Sequence, residues 1–230
     1  MKDILRIIFS LAAILLVFAY TDKISNLNKE TITQEIINDF KVDTNEYIVW
    51  NIRRKLQLSD FNKIIVPCLR NYEDYVTILS VNPLLLIKVT NNKVLIATTI
   101  QKNDLSSYYT SQECKYKIIA SENERKIYVR YHEQLHFDIQ EILARYERKN
   151  FIKYLNVITD SVDACIVLSR NSPEMREIYQ KNNEMDEYDK RHTILETYSK
   201  YKPWINQKLK ELEDYANPVI YFKKDSVETK

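Results

Sequence analysis

The chain has 230 residues with 34 Lys and Arg against 32 Asp and Glu, a net charge of +2; 45% of residues are hydrophobic and 29% charged. This is ordinary globular composition, and a balanced charge spread along the length excludes a nucleic-acid binder driven by phosphate contacts. Glycine is absent, so the P-loop, the dinucleotide fingerprint and the G-x-S-x-G nucleophile elbow are excluded, because each needs backbone without a Cβ.

The first element is a targeting segment. "MKDILR" precedes "IIFSLAAILLVFAY" (7–20), an uncharged apolar run of 14 residues. A bilayer-spanning helix needs about 20, so the run matches a signal-peptide core better. Val17 and Ala19 supply small residues before a cut after Ala19. The expectation is a signal peptide over 1–19, or a short membrane anchor using residues 4–20, followed by one domain over 20–230. Either form places that domain outside the cytoplasm, as a periplasmic, secreted or membrane-anchored protein.

In "TITQEIINDF", Ile32, Ile36, Ile37 and Phe40 recur at helical spacing. "EYIVWNIRRKLQL" (46–58) suits strand or helix, and Ser59-Asp60 opens a short predicted helix that Pro67 interrupts. "PLLLIKVTNNKVLIATTI" (83–100) is a strand pair around an Asn-Asn turn, a glycine-free form of the tight hairpin. After a polar stretch (101–113), "KYKIIAS" and "RKIYVRY" read as two strands around the turn "ENE". Helical spacing follows from 131 to about 148 and again over 151–168. Ser172 and Pro173 cap and open another helix. "PWINQKLKELEDYAN" (203–217) is a last amphipathic helix with Trp204, Ile205, Leu209 and Leu212 on its apolar stripe, and "PVIYF" is a short strand. The class is α+β: a small, mostly antiparallel sheet leads into a helix at 131, and further helices follow. Cys68, Cys114 and Cys165 are widely spaced and form no C-x-x-C.

The chemistry lies in "YHEQLHFDI". His132, Glu133 and His136 form H-E-x-x-H, and the chain has only one other histidine, His192. Two imidazoles at i and i+4 share a helix face and can coordinate one ion, with Glu133 placed to take a proton from water held there. A catalytic zinc needs a third protein ligand and an open position. Imidazole suits zinc, which points to His192; Asp189 and Glu196 are the alternatives. Asp138 projects away from His136 and is read as structural. The expected cofactor is Zn²⁺ and the expected partner a peptide or protein substrate.

"HEQLHFDIQEILAR" resembles the segment that defines a bacterial family of predicted secreted zinc-dependent proteases, the domain of unknown function 922. Its members pair a signal peptide with an "HEQ-x-HFDI" helix and a downstream "YD…H" element, here Tyr188, Asp189 and His192. The chain departs from that pattern in "YDKRHTI", where no glycine follows the histidine. The resemblance implies a zincin-like fold and peptide-bond hydrolysis. The alternative is a non-catalytic envelope module of the same fold, binding a protein partner or wall polymer.

Overall fold

A run such as "KVLIATTIQ" must bury both faces, and the chain is arranged around it. In a computed structural model, the described residues are 30–50, 55–66, 79–90, 92–110, 120–155, 162–170 and 172–222. The expectations for the N-terminal targeting segment, Cys68, Cys114, Asn91 and most of "KYKIIAS" lie outside them.

Strands β1 (Tyr47–Val49), β2 (Asn62–Val66), β3 (Leu79–Ser80), β4 (Leu84–Val89), β5 (Lys93–Gln101), β6 (Ser106–Thr110) and β7 (Val219–Tyr221) form two sheets. In the larger, antiparallel sheet β5 is central. It pairs with β4 from Leu84↔Thr99 to Val89↔Val94, with β1 at Thr99–Gln101 and with β7 at Lys93–Leu95. The smaller sheet runs β2-β6-β3, with β2 parallel and β3 antiparallel to β6. The hairpin at 83–100 and the strand in "PVIYF" are therefore as the sequence predicts.

Side chains of β5 alternate, as period two requires. Leu95 and Ala97 face helix α1 (30–38), packing with Ile36, Phe40 and Val42. Val94 and Ile96 pack on the other side with Phe151 and Cys165, and Ile100 with Val129 and Phe137. The long H-E-x-x-H helix covers that second face.

Several expectations are corrected. The predicted helix at Ser59-Asp60 is only a 3-10 turn, Leu58–Asp60, and β-branched Ile64, Ile65 and Val66 continue it as β2. The polar stretch 101–113 contains β6. "RKIYVRY" is not a strand: α2 (Glu122–Tyr128) is followed by a π turn (Val129–Glu133) and then α3 (Gln134–Leu155). The physical reason is the capping box in "SENE". Ser121 Oγ accepts from the Glu124 N–H at 3.2 Å, and Glu124 accepts from the Ser121 N–H at 2.6 Å. Arg125 is then buried, donating to Ser107 Oγ at 2.9 Å and to the Tyr108 carbonyl at 2.8 Å.

Helix α3 runs unbroken through 149–150, because Asn150 spends its side chain on the Ser169 carbonyl and Phe151 is buried. Helix α4 (Val162–Ser169) follows, then α5 (Pro173–Asp189), capped by Ser172 as expected. Helix α6 (Ile194–Glu211) begins at Ile194 and not at Pro203: Thr193 and Glu196 make a second capping box, and Pro203 sits inside the helix. Leu135, Ile139, Ile142 and Leu143 of α3 pack against Met175, Ile178 and Met185 of α5 and Tyr201 and Ile205 of α6. Among the described residues no helix is long and apolar enough to cross a membrane.

Candidate metal centre

His132 lies on the π turn and His136 on the first turn of α3. The turn is wide because the Gln134 N–H reaches back five residues to the Val129 carbonyl. His132 and Glu133 are only 6% and 4% exposed. The two rings meet at 76° with Nε2 atoms 3.1 Å apart.

Helix α5 runs antiparallel past them. Asn182, Asp186 and Asp189 are spaced four and three residues apart, on one helix face. Asp186 Oδ1 lies 3.1 Å from His136 Nε2. Asn182 Oδ1, which can only accept, is 2.9 Å from His136 Nδ1; it favours the Nδ1–H tautomer and turns the Nε2 lone pair of the neutral ring inward. Asp189 Oδ2 stands 3.4 Å from His132 Nδ1, near enough to act as a charge but without hydrogen-bond alignment. The other Asp189 oxygen accepts from Thr197 Oγ1 at 2.9 Å, and Thr197 is fully buried.

Three electron-pair donors, His132 Nε2, His136 Nε2 and Asp186 Oδ1, thus converge, and all lie within 4.8 Å of one another. Donors so placed need a positive centre, a proton or a metal ion. A tetrahedral zinc with bonds of about 2.0–2.1 Å separates its ligand atoms by about 3.3 Å. Two of the three separations are 3.1 Å, close to that edge, and the third is no more than 4.8 Å. The residues could hold a divalent ion, although two imidazoles and a carboxylate do not by themselves select zinc.

The electrostatics follow the burial. Burial, then the neighbouring His136, push His132 down to about 3, so its ring stays neutral. Burial raises Glu133 to about 7. His136 is raised: burial opposes its charge, but the Asp186 hydrogen bond and the Glu133 field outweigh it. Burial also works against charge on Asp186, yet the His136 hydrogen bond holds it below its ordinary value. Asp189 is raised, first by burial, and also by Asp186.

The structure brings His132, Glu133 and His136 together but not His192. After α5 the chain folds back on itself, so the exposed His192 ring stacks on Tyr188 at 3.6 Å and 2°, and its Nδ1 meets the Tyr188 carbonyl at 2.9 Å. That is another side of α5, and the third donor beside the two histidine rings is Asp186. Of the alternatives, Glu196 caps α6 at the surface, and Asp189 stands beside the His132 ring and not among the converging atoms. Asp138 is structural as expected, accepting from Trp50, Gln134 and Lys202. The signal for Asp186 was the N-x-x-x-D-x-x-D spacing, which matches a pair of histidines one helical turn apart.

The set opens into a cleft of about 980 Å³ between α3, α5 and residues 79–83. No family model matches the chain, and searches of curated proteins and of solved structures find no match either.

A partner hydrogen-bonded to the far nitrogen of a metal-binding imidazole fixes the ring, and Asn182 stands in that relation to His136. Asn182→Ala is therefore expected to weaken zinc affinity by about 10–100-fold, measured by competition with a chromophoric chelator. Unchanged affinity would show that Asn182 does not set the ring.

Proposed function

We propose that this chain is a zinc-dependent metallopeptidase of zincin type, acting outside the cytoplasm as a periplasmic, secreted or membrane-anchored protein. The observation that supports it most is the convergence of His132 Nε2, His136 Nε2 and Asp186 Oδ1 beside the buried Glu133, in a cleft. The H-E-x-x-H spacing and the targeting segment agree with it.

His132, His136 and Asp186 would hold the ion. Bound there, zinc supplies a Lewis acid that acidifies water and polarises a carbonyl. Glu133 accepts a proton from the attacking water and returns it to the amine nitrogen as the C–N bond of the peptide breaks. Asn182 keeps the His136 ring turned inward, and Asp189 places a carboxyl group beside the His132 ring. The buried position of Glu133 keeps bulk water from competing for its proton.

Metal content of the purified full chain, read by mass spectrometry, tests this reading. About one zinc per chain is expected, retained in His192→Ala and lost in Asp186→Ala, as a site of three protein ligands requires. No metal after supplying zinc and dialysing would overturn the reading and favour a binding module with two helix-borne histidines. Zinc lost in His192→Ala alone would move the third ligand to His192.

A further inference from the structure

The π turn at Val129–Glu133 interrupts the helical run that carries the two histidines, and its width bears on how they meet. In an α-helix of about 3.6 residues per turn, side chains four apart stand about 40° out of line. A π turn closes on the fifth residue and spends more residues per turn, so the step from His132 to His136 overshoots a full turn by less. The rings are thereby brought toward one line, with their Nε2 atoms 3.1 Å apart. Turns of this kind are rare, so contacts outside the helix backbone must favour this one over the α-helical ladder.

Gln134 makes those contacts. Its backbone N–H closes the wide turn on the Val129 carbonyl. Its half-buried side chain is clamped at both ends: Oε1 accepts from the Leu56 N–H at 3.0 Å, and Nε2 donates to Asp138 Oδ1 at 2.9 Å. Asp138 is 5% exposed and is itself fixed from two further segments, by Trp50 Nε1 at 3.0 Å and Lys202 Nζ at 2.6 Å. Gln134 and Asp138 each lie two residues from His136, about 200° round the helix axis. They therefore brace the helix from behind the histidines, and neither lines the cleft.

We infer that Gln134 is a positioning residue for the metal centre, with Asp138 as its anchor: by holding the π turn it keeps His132 Nε2 beside His136 Nε2. The inference rests on the metal-binding half of the proposed function and needs no peptide cleavage. Lys202 ties the same carboxylate to α6 without touching the turn, so positioning of the histidines and attachment of α6 can be separated by mutation.

The test uses the full-length chain with zinc, by competition with a chromophoric chelator, and with cobalt, whose visible bands report the geometry of its donors. Gln134→Met keeps the length of the side chain and loses both hydrogen bonds. It is expected to weaken zinc binding by about 10–100-fold, the usual worth of a group that orients metal-binding side chains, and to shift the cobalt bands. Gln134→Ala should do the same, since the hydrogen bonds and not the volume are responsible. Lys202→Met cuts the link to α6 and leaves the clamp; it is expected to lower the thermal midpoint while zinc affinity and cobalt bands stay as in wild type. Wild-type affinity and bands in both Gln134 variants would overturn the inference alone. So would a Lys202→Met chain that loses as much zinc affinity as they do, since the effect would then be one of general stability. Gln134 variants that fail to fold, read by circular dichroism, would assign the residue to the fold and overturn it as well. A wild-type chain that binds neither metal would overturn the metal reading itself, and this inference with it.

Discussion

Replacing Glu133 by Gln is expected to lower peptide hydrolysis by about 10²–10⁴-fold, the usual worth of a positioned general base, while zinc content stays at the wild-type level. The two outcomes separate because of where the residue sits. The converging atoms belong to His132, His136 and Asp186, so the Glu133 side chain can change without removing any of them. Gln keeps the shape and hydrogen-bonding capacity that a position 4% exposed demands. What it loses is the ability to accept a proton. Asp186→Ala, by contrast, should lose metal and hydrolysis together. Wild-type turnover by a metal-replete Glu133→Gln protein would sink the assigned role.

The second large effect concerns the support of the site. Glu141, on the sheet-facing side of α3, is 1% exposed and accepts from Thr98 Oγ1 at 3.0 Å, Arg145 Nε at 3.1 Å and Arg148 Nη2 at 2.6 Å. Arg148 is itself buried and also donates to the Ile96 and Tyr215 carbonyls, and Arg145 donates to the Leu209 carbonyl. One carboxylate therefore joins α3 to the central strand and neutralises two guanidinium groups that in turn hold the chain leading to β7.

Glu141→Leu keeps the volume but leaves those two cations buried without their shared anion. Removing one partner of a buried ion pair typically costs about 3–5 kcal/mol. The loss should appear as a lower urea midpoint with little change in slope. Glu213, which pairs with the same Arg145 but is 74% exposed, is the control. Its replacement by Ala should cost no more than about 1 kcal/mol, as exposed ion pairs do. Equal losses at the two positions would mean that the buried network does not hold α3 in place.

What residue order alone determined was local. The hairpin at 83–100 was legible because two β-branched runs flank a turn, and the Ser172 cap because Ser-Pro opens a helix by its own backbone chemistry. His132, Glu133 and His136 were legible because four residues are about one helical turn, so neighbours in sequence are neighbours in space. The capping boxes at Ser121 and Thr193 were equally local. The box at Ser121 was missed because alternating residues in "RKIYVRY" mimic a strand.

The third position was another matter. His192 is the better zinc ligand by chemistry, and the missing glycine after it is the one departure near it in sequence. Its fate was decided when the turn after α5 laid its ring on Tyr188, while the packing of Met175, Ile178 and Met185 against α3 set which face of α5 looks toward the histidines. That face carries Asn182, Asp186 and Asp189. A candidate donor borne by a separate helix depends on docking angle and rotation, which come from the summed packing of many apolar side chains and from no local pattern.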